Sequence, residues 1–77
     1  MSSLEADVYD LRGLKCPHPA IKTGKRLRGM PSGDILTVET TDPLAIIDIP
    51  HLCNEEGHTL LSSEKTERGH RFVIRKG

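Results

Sequence analysis

The chain of 77 residues has the length of one small domain, and we expect residues 1–77 to fold as a single unit. Eleven basic and eleven acidic residues give a formal net charge of zero, which argues against a general nucleic-acid binder, since such domains usually carry a basic excess. With no Trp, one Tyr and one Phe, the core must consist mainly of Leu, Ile and Val, and a domain this small has little room for an enclosed active-site cavity.

The amino terminus and the cysteine content both bear on location. No apolar stretch is long enough to span a membrane, and residues 1–5 lack the basic and hydrophobic segments of a secretory signal. We therefore expect a cytoplasmic protein that has no membrane partner. Thiols are kept reduced in that compartment, so the two cysteines are interpreted as free thiols.

The first elements in chain order are a strand and a helix. Residues 6–11 are expected to form the strand, in which Tyr9 and Leu11 share one face. Residues 17–28 predict a helix that ends at Gly29. Its packed face is expected to consist of Ala20, Ile21, Gly24 and Leu27.

A second strand and the start of a second helix follow. Residues 34–40 are rich in strand-forming side chains, with Leu36 and Val38 alternating toward one face. Asp42 and Pro43 are then typical of a helix cap followed by a proline in the first turn.

The second helix is expected to be interrupted at a proline. In a continuous helix the ring of Pro50 would clash with the carbonyl group of Ile46. Asp48 is able to act as a fresh cap at this point. We therefore expect a short turn at 43–47 and a helix at about 49–56.

Two strands are expected to complete the chain. Gly57 is predicted to end the helix, after which residues 58–64 and 71–76 form strands joined by a turn around 67–69. In the last strand two apolar residues alternate with Arg71, Val73 and Arg75, which indicates one covered and one wet sheet face. The apolar pair is Phe72 and Ile74.

The element order β-α-β-α-β-β predicts an α+β fold. The two β-α-β connections are expected to be right-handed crossovers between parallel strands, and the last two strands are expected to form a hairpin. Both helices would then pack on one face of a four-stranded mixed sheet. The result is a two-layer α/β sandwich.

Cys16 stands directly before the first helix, at the N-cap or one residue from it. Pro17 supports this placement, because the residue before a proline avoids helical dihedral angles. The positive end of the helix dipole predicts a thiol pKa lowered by a fraction of a unit to somewhat over about one unit, and Lys15 adds a positive charge. Because Pro17 and Pro19 remove two backbone donors, they are expected mainly to hold the thiol rigid and exposed.

The Cys-Pro-x-Pro motif by itself leaves two interpretations open. Cys16 is either a small apolar residue at a helix start, as free cysteines often are, or an exposed reactive thiol. No general base stands next to it in the sequence. A reactive thiol of this kind suits the transfer of an atom to another protein better than it suits hydrolysis.

Three segments carry a more specific resemblance. Residues 10–19, which end in Cys-Pro-His-Pro, resemble the signature of the TusA/SirA family of sulfur carrier proteins. Residues 41–50 resemble the family's Asp-Pro…Asp-Ile-Pro segment at the expected separation, and residues 72–77 resemble the ending of the family member that acts in tRNA thiolation. Together the three segments span nearly the whole chain.

The resemblance implies the same two-layer sandwich and a sulfurtransferase. Cys16 would accept sulfur from a cysteine desulfurase, hold it as a transient persulfide without any cofactor, and pass it to a downstream sulfur-relay protein. In the best-known members the sulfur reaches the wobble uridine of certain tRNAs as 2-thiouridine, whereas others feed molybdenum-cofactor maturation or sulfur oxidation. Family members often carry an acidic residue between the two prolines, where this chain has His18. The resemblance therefore does not identify the partner protein.

The second cysteine and the histidines have simpler interpretations. Cys53 matches a cysteine in some relatives, but we expect it to be a buried packing residue. No metal site is expected, because the four histidines do not form a ligand pair beside two close cysteines. His18 is expected to tune the thiolate or to touch a partner. The other histidines are His51, His58 and His70.

Polar residues near Cys16 are candidates for supporting roles. Asp42 is interpreted first as a helix cap and second as a residue at the mouth of the site. A run of basic residues on the first helix is either a solvated face or, beside a nucleophilic cysteine, a docking surface for an acidic patch on the sulfur donor. The basic residues are Lys22, Lys25, Arg26 and Arg28.

Two other functions remain as alternatives, since fold alone does not determine function. The predicted topology is also similar to the C-terminal domain of a bacterial translation initiation factor, which suggests an RNA-binding module. Zero net charge and the near absence of candidates for exposed aromatic residues argue against direct nucleic-acid binding. The other alternative is a redox or regulatory protein in which Cys16 forms a sulfenic acid or pairs with an outside thiol.

Overall fold

A computed structural model describes residues 8–77, and its elements follow the predicted order β-α-β-α-β-β. The part of the first predicted strand at residues 6–7 lies outside the described residues. Neither helix in the described part of the chain has the length and apolar character needed to cross a membrane. The strands are β1 (Val8–Leu11), β2 (Ile35–Thr40), β3 (Thr59–Lys65) and β4 (His70–Arg75), and the helices are α1 (His18–Arg28) and α2 (Ala45–Glu56).

The four strands form one mixed sheet in the order β1-β2-β4-β3. β1 and β2 are parallel, with Leu11 opposite Thr40, and β4 is antiparallel to both of its neighbours. β2 and β3 therefore run in the same direction with β4 between them. Both β-α-β connections thus link parallel strands and the last two strands form a hairpin, and both of these predictions are confirmed.

A single buried cluster joins the sheet to the helices. In β4 the side chains of Phe72 and Ile74 are fully buried while Arg71 and Arg75 are exposed, which confirms the alternation predicted for this strand. The helices contribute to the same cluster, as a two-layer sandwich requires. The cluster consists of Leu11, Leu27, Leu36, Val38, Ala45, Ile49, Cys53, Phe72 and Ile74.

The two helices pack closely against each other. A methyl group added at Gly24 of α1 would lie 3.1 Å from Cδ1 of Leu52 on α2, so the absence of a side chain allows this approach. Arg28 and Glu56, at the carboxyl ends of the two helices, form an ion pair at 3.0 Å. Lys76 also donates hydrogen bonds to the carbonyl groups of Leu27 and Met30, which satisfies acceptors at the end of α1.

The predicted packed face of α1 was wrong at one position. Ile21 is 56% exposed, whereas Thr23 is fully buried. Ile21 lies six residues before the buried Leu27, and at 3.6 residues per turn this places it about 120° away around the helix. The buried face of α1 therefore includes Thr23 and leaves Ile21 exposed.

The predicted interruption of the second helix was also wrong. α2 continues from Ala45 to Glu56 with Pro50 inside it, so Asp48 lies in the helix and does not cap a new one. Ile49 and Cys53, four residues apart on either side of Pro50, are buried in the core. This packing offsets the hydrogen bond that Pro50 cannot donate. Gly57 ends the helix at a positive φ of 78°, as predicted.

Candidate functional site

Cys16 lies in the exposed turn between β1 and α1, one residue before the helix N-cap, which is Pro17. The backbone N–H of Cys16 donates to Oδ2 of Asp42, whose Oδ1 accepts the backbone N–H of Leu44 at 3.3 Å. Asp42 therefore holds the turn that carries the thiol against the start of α2. The predicted helix cap at Asp42 was wrong, because the N-cap of α2 is Leu44 and no side chain caps it; Asp42 instead orders the loop before the helix and forms part of the site.

The thiol itself contacts a second carboxylate. Sγ of Cys16 donates a hydrogen bond to Oδ2 of Asp48 at 2.9 Å. This bond stabilises the protonated thiol and raises the pKa of Cys16; desolvation and the negative charges of Asp48 and Asp42 act in the same direction. The predicted lowering of this pKa by the helix N-terminus was therefore wrong in sign.

The physical reason lies in which groups reach the sulfur. Pro17 is the N-cap and Pro19 occupies the second helical position, so two of the backbone donors that would favour a thiolate are missing. The Asp48 carboxylate is within hydrogen-bond distance of Sγ and favours the thiol. The direct contact with the Asp48 carboxylate therefore has a larger effect on the pKa of Cys16 than a helix N-terminus that lacks two of its backbone donors.

Asp48 is the residue that sequence reasoning missed. It stands 32 positions after Cys16, and its interpretation as a helix cap hid its part in the site. Its presence in the segment 41–50, which resembles the second segment of the family, is the signal that could have found it. The structure places it on the fourth residue of α2, facing the turn that carries the thiol.

Cys16 opens onto a groove of about 520 Å³ between α1 and α2. Ala20, Gly24 and Leu52 provide an apolar floor, and the ion-paired Arg28 lies toward the carboxyl end of α1. The groove is open to solvent, so a thiol here is accessible to a large partner. The full lining is Cys16, Pro17, Ala20, Ile21, Gly24, Arg28, Asp48, His51, Leu52, Glu55 and Glu56.

A known protein family matches almost the whole chain. The family model described as "Sulfurtransferase TusA" matches residues 7–76. The chain belongs to the TusA sulfurtransferase family. Its general role is therefore sulfur transfer as a sulfur carrier, and the predicted membership of the family is confirmed. The match includes both Cys16 and Asp48.

The basic residues of this TusA-family chain divide into two groups. The guanidinium group of Arg26 lies 4.5 Å from the centre of the Tyr9 ring, and Lys22 and Lys25 line the same depression between α1 and β1. Arg28 instead lines the groove between the helices. The predicted cluster is thus three residues on one side of α1 and one residue on the other.

The other candidate residues are two neighbours of Cys16 in sequence, the second cysteine and the groups considered for a metal site. Lys15 is exposed in the turn that carries Cys16, and His18 is exposed as the first residue of α1, where its backbone N–H bonds to the carbonyl group of Lys15 at 2.9 Å. Cys53 is buried, which confirms its interpretation as a packing residue, and burial raises the pKa of its thiol. Within residues 8–77 no three His, Cys, Asp or Glu side chains are grouped so that they would hold a metal ion.

Proposed function

We propose that Cys16 carries sulfur as a persulfide from a donor protein to an acceptor protein. The observation that supports this most directly is an exposed thiol at the open groove of a TusA-family chain. The substrate sulfur would be presented by another protein, so an enclosed cavity is not required. No cofactor takes part beyond the persulfide itself.

The transfer step is a thiol–persulfide exchange. Sγ of Cys16 attacks the outer sulfur of a donor persulfide, R–S–SH. A bond forms between Sγ and that sulfur while the S–S bond of the donor breaks, which yields Cys16–S–SH and the donor thiol R–SH. The number of protons and electrons is unchanged. A second exchange of the same kind, in which an acceptor thiol attacks the outer sulfur of Cys16–S–SH, delivers the sulfur to the acceptor and restores the Cys16 thiol.

The proposed donor is a cysteine desulfurase, and the proposed acceptor is a downstream sulfur-relay protein. Family membership and the resemblance of residues 72–77 to the tRNA-thiolation member support 2-thiouridine modification of tRNA as the destination. A related relay such as molybdenum-cofactor maturation is the alternative. In either case the chain meets proteins, and no direct contact with nucleic acid is proposed.

The basic side of α1 is the proposed docking surface for the donor. Lys22 and Lys25 are exposed on the helix that begins two residues after Cys16. A partner that reaches the thiol passes beside them, so an acidic patch on that partner would be attracted. Arg26, stacked on Tyr9, belongs to the same surface, and Arg28 faces the interhelical groove.

The raised pKa of Cys16 argues against the redox alternative. Redox-sensing cysteines are accessible and have lowered pKa values, because the thiolate is the form that oxidants attack. Here the hydrogen bond to Asp48 favours the thiol. A carrier that reacts only when a donor is docked fits this arrangement better than a sensor of dissolved oxidants.

Intact-protein mass spectrometry tests the proposed function. After incubation with a cysteine desulfurase, its pyridoxal phosphate and cysteine, the wild-type chain is expected to gain one sulfur atom, and a reductant is expected to remove it. Cys16→Ser is expected to gain none, while Cys53→Ala gains the same sulfur as wild type. A gain of sulfur by Cys16→Ser, or no gain by wild type with an active desulfurase, would overturn the proposal.

A further inference from the structure

The Cys16–Asp48 pair is held from both sides by the backbone. The N–H of Asp48 bonds to the carbonyl group of Leu44 at 3.0 Å within the first turn of α2. The N–H of Cys16 bonds to the carboxylate of Asp42, which also bonds to the backbone of Leu44. The 2.9 Å contact between Sγ and Oδ2 therefore belongs to a fixed arrangement of the turn and the helix, not to two freely moving side chains.

The charged groups around Cys16 favour the protonated thiol over the thiolate. In the described part of the chain two carboxylates bond to Cys16, one to its sulfur and one to its amide. Ionisation of the thiol would place a negative sulfur against the negative Asp48 carboxylate, whereas the protonated thiol donates a hydrogen bond to that carboxylate. Among the residues that the structure describes, the titratable groups in contact with Cys16 are Asp42 and Asp48. Lys15 and His18 neighbour Cys16 in sequence, and the other titratable groups that line the groove are Arg28, His51, Glu55 and Glu56.

A second property of the site concerns where the thiol proton goes. Attack on a donor persulfide requires the thiolate, so the proton of Cys16 must leave as the new S–S bond forms. The group already bonded to that proton is Oδ2 of Asp48. A candidate general base must lie within hydrogen-bond reach of the proton that it removes, and Asp48 meets this requirement.

We propose that Asp48 is the proton acceptor of the sulfur-transfer step. At rest it holds Cys16 as a thiol; during attack it takes the proton from Sγ, and it returns that proton to the donor thiolate as the donor S–S bond breaks. Asp48 is unchanged after each transfer, and no additional reactant is needed. The transfer role rests on the proposed function of Cys16.

This arrangement gives the carrier selectivity. A free thiolate reacts with many electrophiles, whereas a thiol reacts slowly. Asp48 keeps Cys16 in the less reactive form in solution. It removes the proton only when a donor sulfur is positioned at the end of the groove.

The test is the variant Asp48→Asn, which keeps the size of the side chain and removes its charge. Two rates are measured against pH: alkylation of Cys16 by iodoacetamide, which is small and uncharged, and acceptance of sulfur from a cysteine desulfurase. Glu64→Gln, an exposed carboxylate on β3, is the control for the change in net charge. Circular dichroism establishes that each variant is folded.

The two rates are expected to change in opposite directions in Asp48→Asn. The alkylation profile shifts to lower pH, so alkylation at neutral pH becomes faster. Sulfur acceptance falls by roughly 10²-fold, the lower end of what a positioned general base contributes. Glu64→Gln is expected to change neither rate.

Three results would overturn the inference. An unchanged alkylation profile would show that Asp48 does not hold the proton. A shifted profile with unchanged or faster sulfur acceptance would show that Asp48 only suppresses the thiolate and takes no part in transfer. A shifted profile in a chain whose wild type accepts no sulfur would refute the proposed function and with it the transfer role, while leaving the hold of Asp48 on the proton intact.

Discussion

Reversal of a single charge on α1 tests the proposed docking surface. Lys22 is exposed and lies four residues after His18, the first residue of α1, which is about 6 Å along the helix axis. A partner that brings a persulfide to Cys16 is therefore expected to bring acidic groups within about 10 Å of Lys22, the screening distance near 0.1 M salt. Lys22→Glu replaces attraction with repulsion at this point.

The expected size of the effect follows from Coulomb's law. Two unit charges 10 Å apart in water interact by about 0.4 kcal/mol. The reversal removes one such attraction and adds one such repulsion, so the encounter is disfavoured by about 0.8 kcal/mol, or about fourfold in rate at low salt. Screening at physiological ionic strength is expected to reduce the effect to about 1.5-fold.

The assay is the initial rate of sulfur acceptance from a cysteine desulfurase, measured at two salt concentrations. The control is Arg75→Glu, which makes the same charge change on an exposed residue that pairs with Ile35, at the end of β2 opposite to Thr40 and the Cys16 turn. Both variants are expected to melt within a few degrees of wild type, because surface changes usually fall within about 0.5 kcal/mol. Equal rates for Lys22→Glu and wild type at low salt, or an equal loss in Arg75→Glu, would refute a docking role for this side of α1.

The remaining predictions concern the two cysteines and one exposed ion pair. Cys16→Ser is expected to keep the wild-type melting temperature, since the residue is exposed, and to lose persulfide loading; a folded variant that still loads would contradict this. Cys53→Ala is expected to lose about 1 kcal/mol or more of unfolding free energy in denaturant titration while still loading sulfur, because its side chain is buried in the core. Arg12 holds the pKa of Asp10 at about 2, below the usual 3.8, so Arg12→Ala is expected to raise it toward that value in an NMR titration. Because the folded-state pKa is lowered, the stabilisation is present above about pH 4 and is lost as the pH falls toward 2, and it is small because both groups are exposed.

Local patterns in the sequence were sufficient for most of the fold. Alternation of Leu36 with Val38, and of Phe72 with Ile74, identifies strand faces because side chains two apart point the same way. Pro50 misled the prediction of α2, because the cost of a proline inside a helix is local whereas the packing that offsets it is tertiary. The faces of the strands were predictable from neighbours in sequence, and the continuity of α2 was not.

The chemistry of the site depended on contacts between distant residues. The position of Cys16 before a helix was visible in the sequence, whereas its exposure was one of two interpretations that the motif left open. The sign of its pKa shift depends on Asp48, which reaches the thiol only because α2 begins beside the turn that carries it. A helix terminus next to a cysteine therefore does not by itself establish a thiolate, since one carboxylate from another element is enough to reverse the effect.

The most direct test of the central claim follows labelled sulfur through Cys16. The chain is loaded with a cysteine desulfurase and cysteine that carries radioactive sulfur, the desulfurase and free cysteine are removed, and a downstream sulfur-relay protein is added. We predict that the label is found first on the peptide that contains Cys16 and then on the acceptor protein, with no label on the peptide that contains Cys53. Label that never appears on the Cys16 peptide, or that leaves it only as free sulfide in the presence of the acceptor, would contradict the assignment of Cys16 as the carrier.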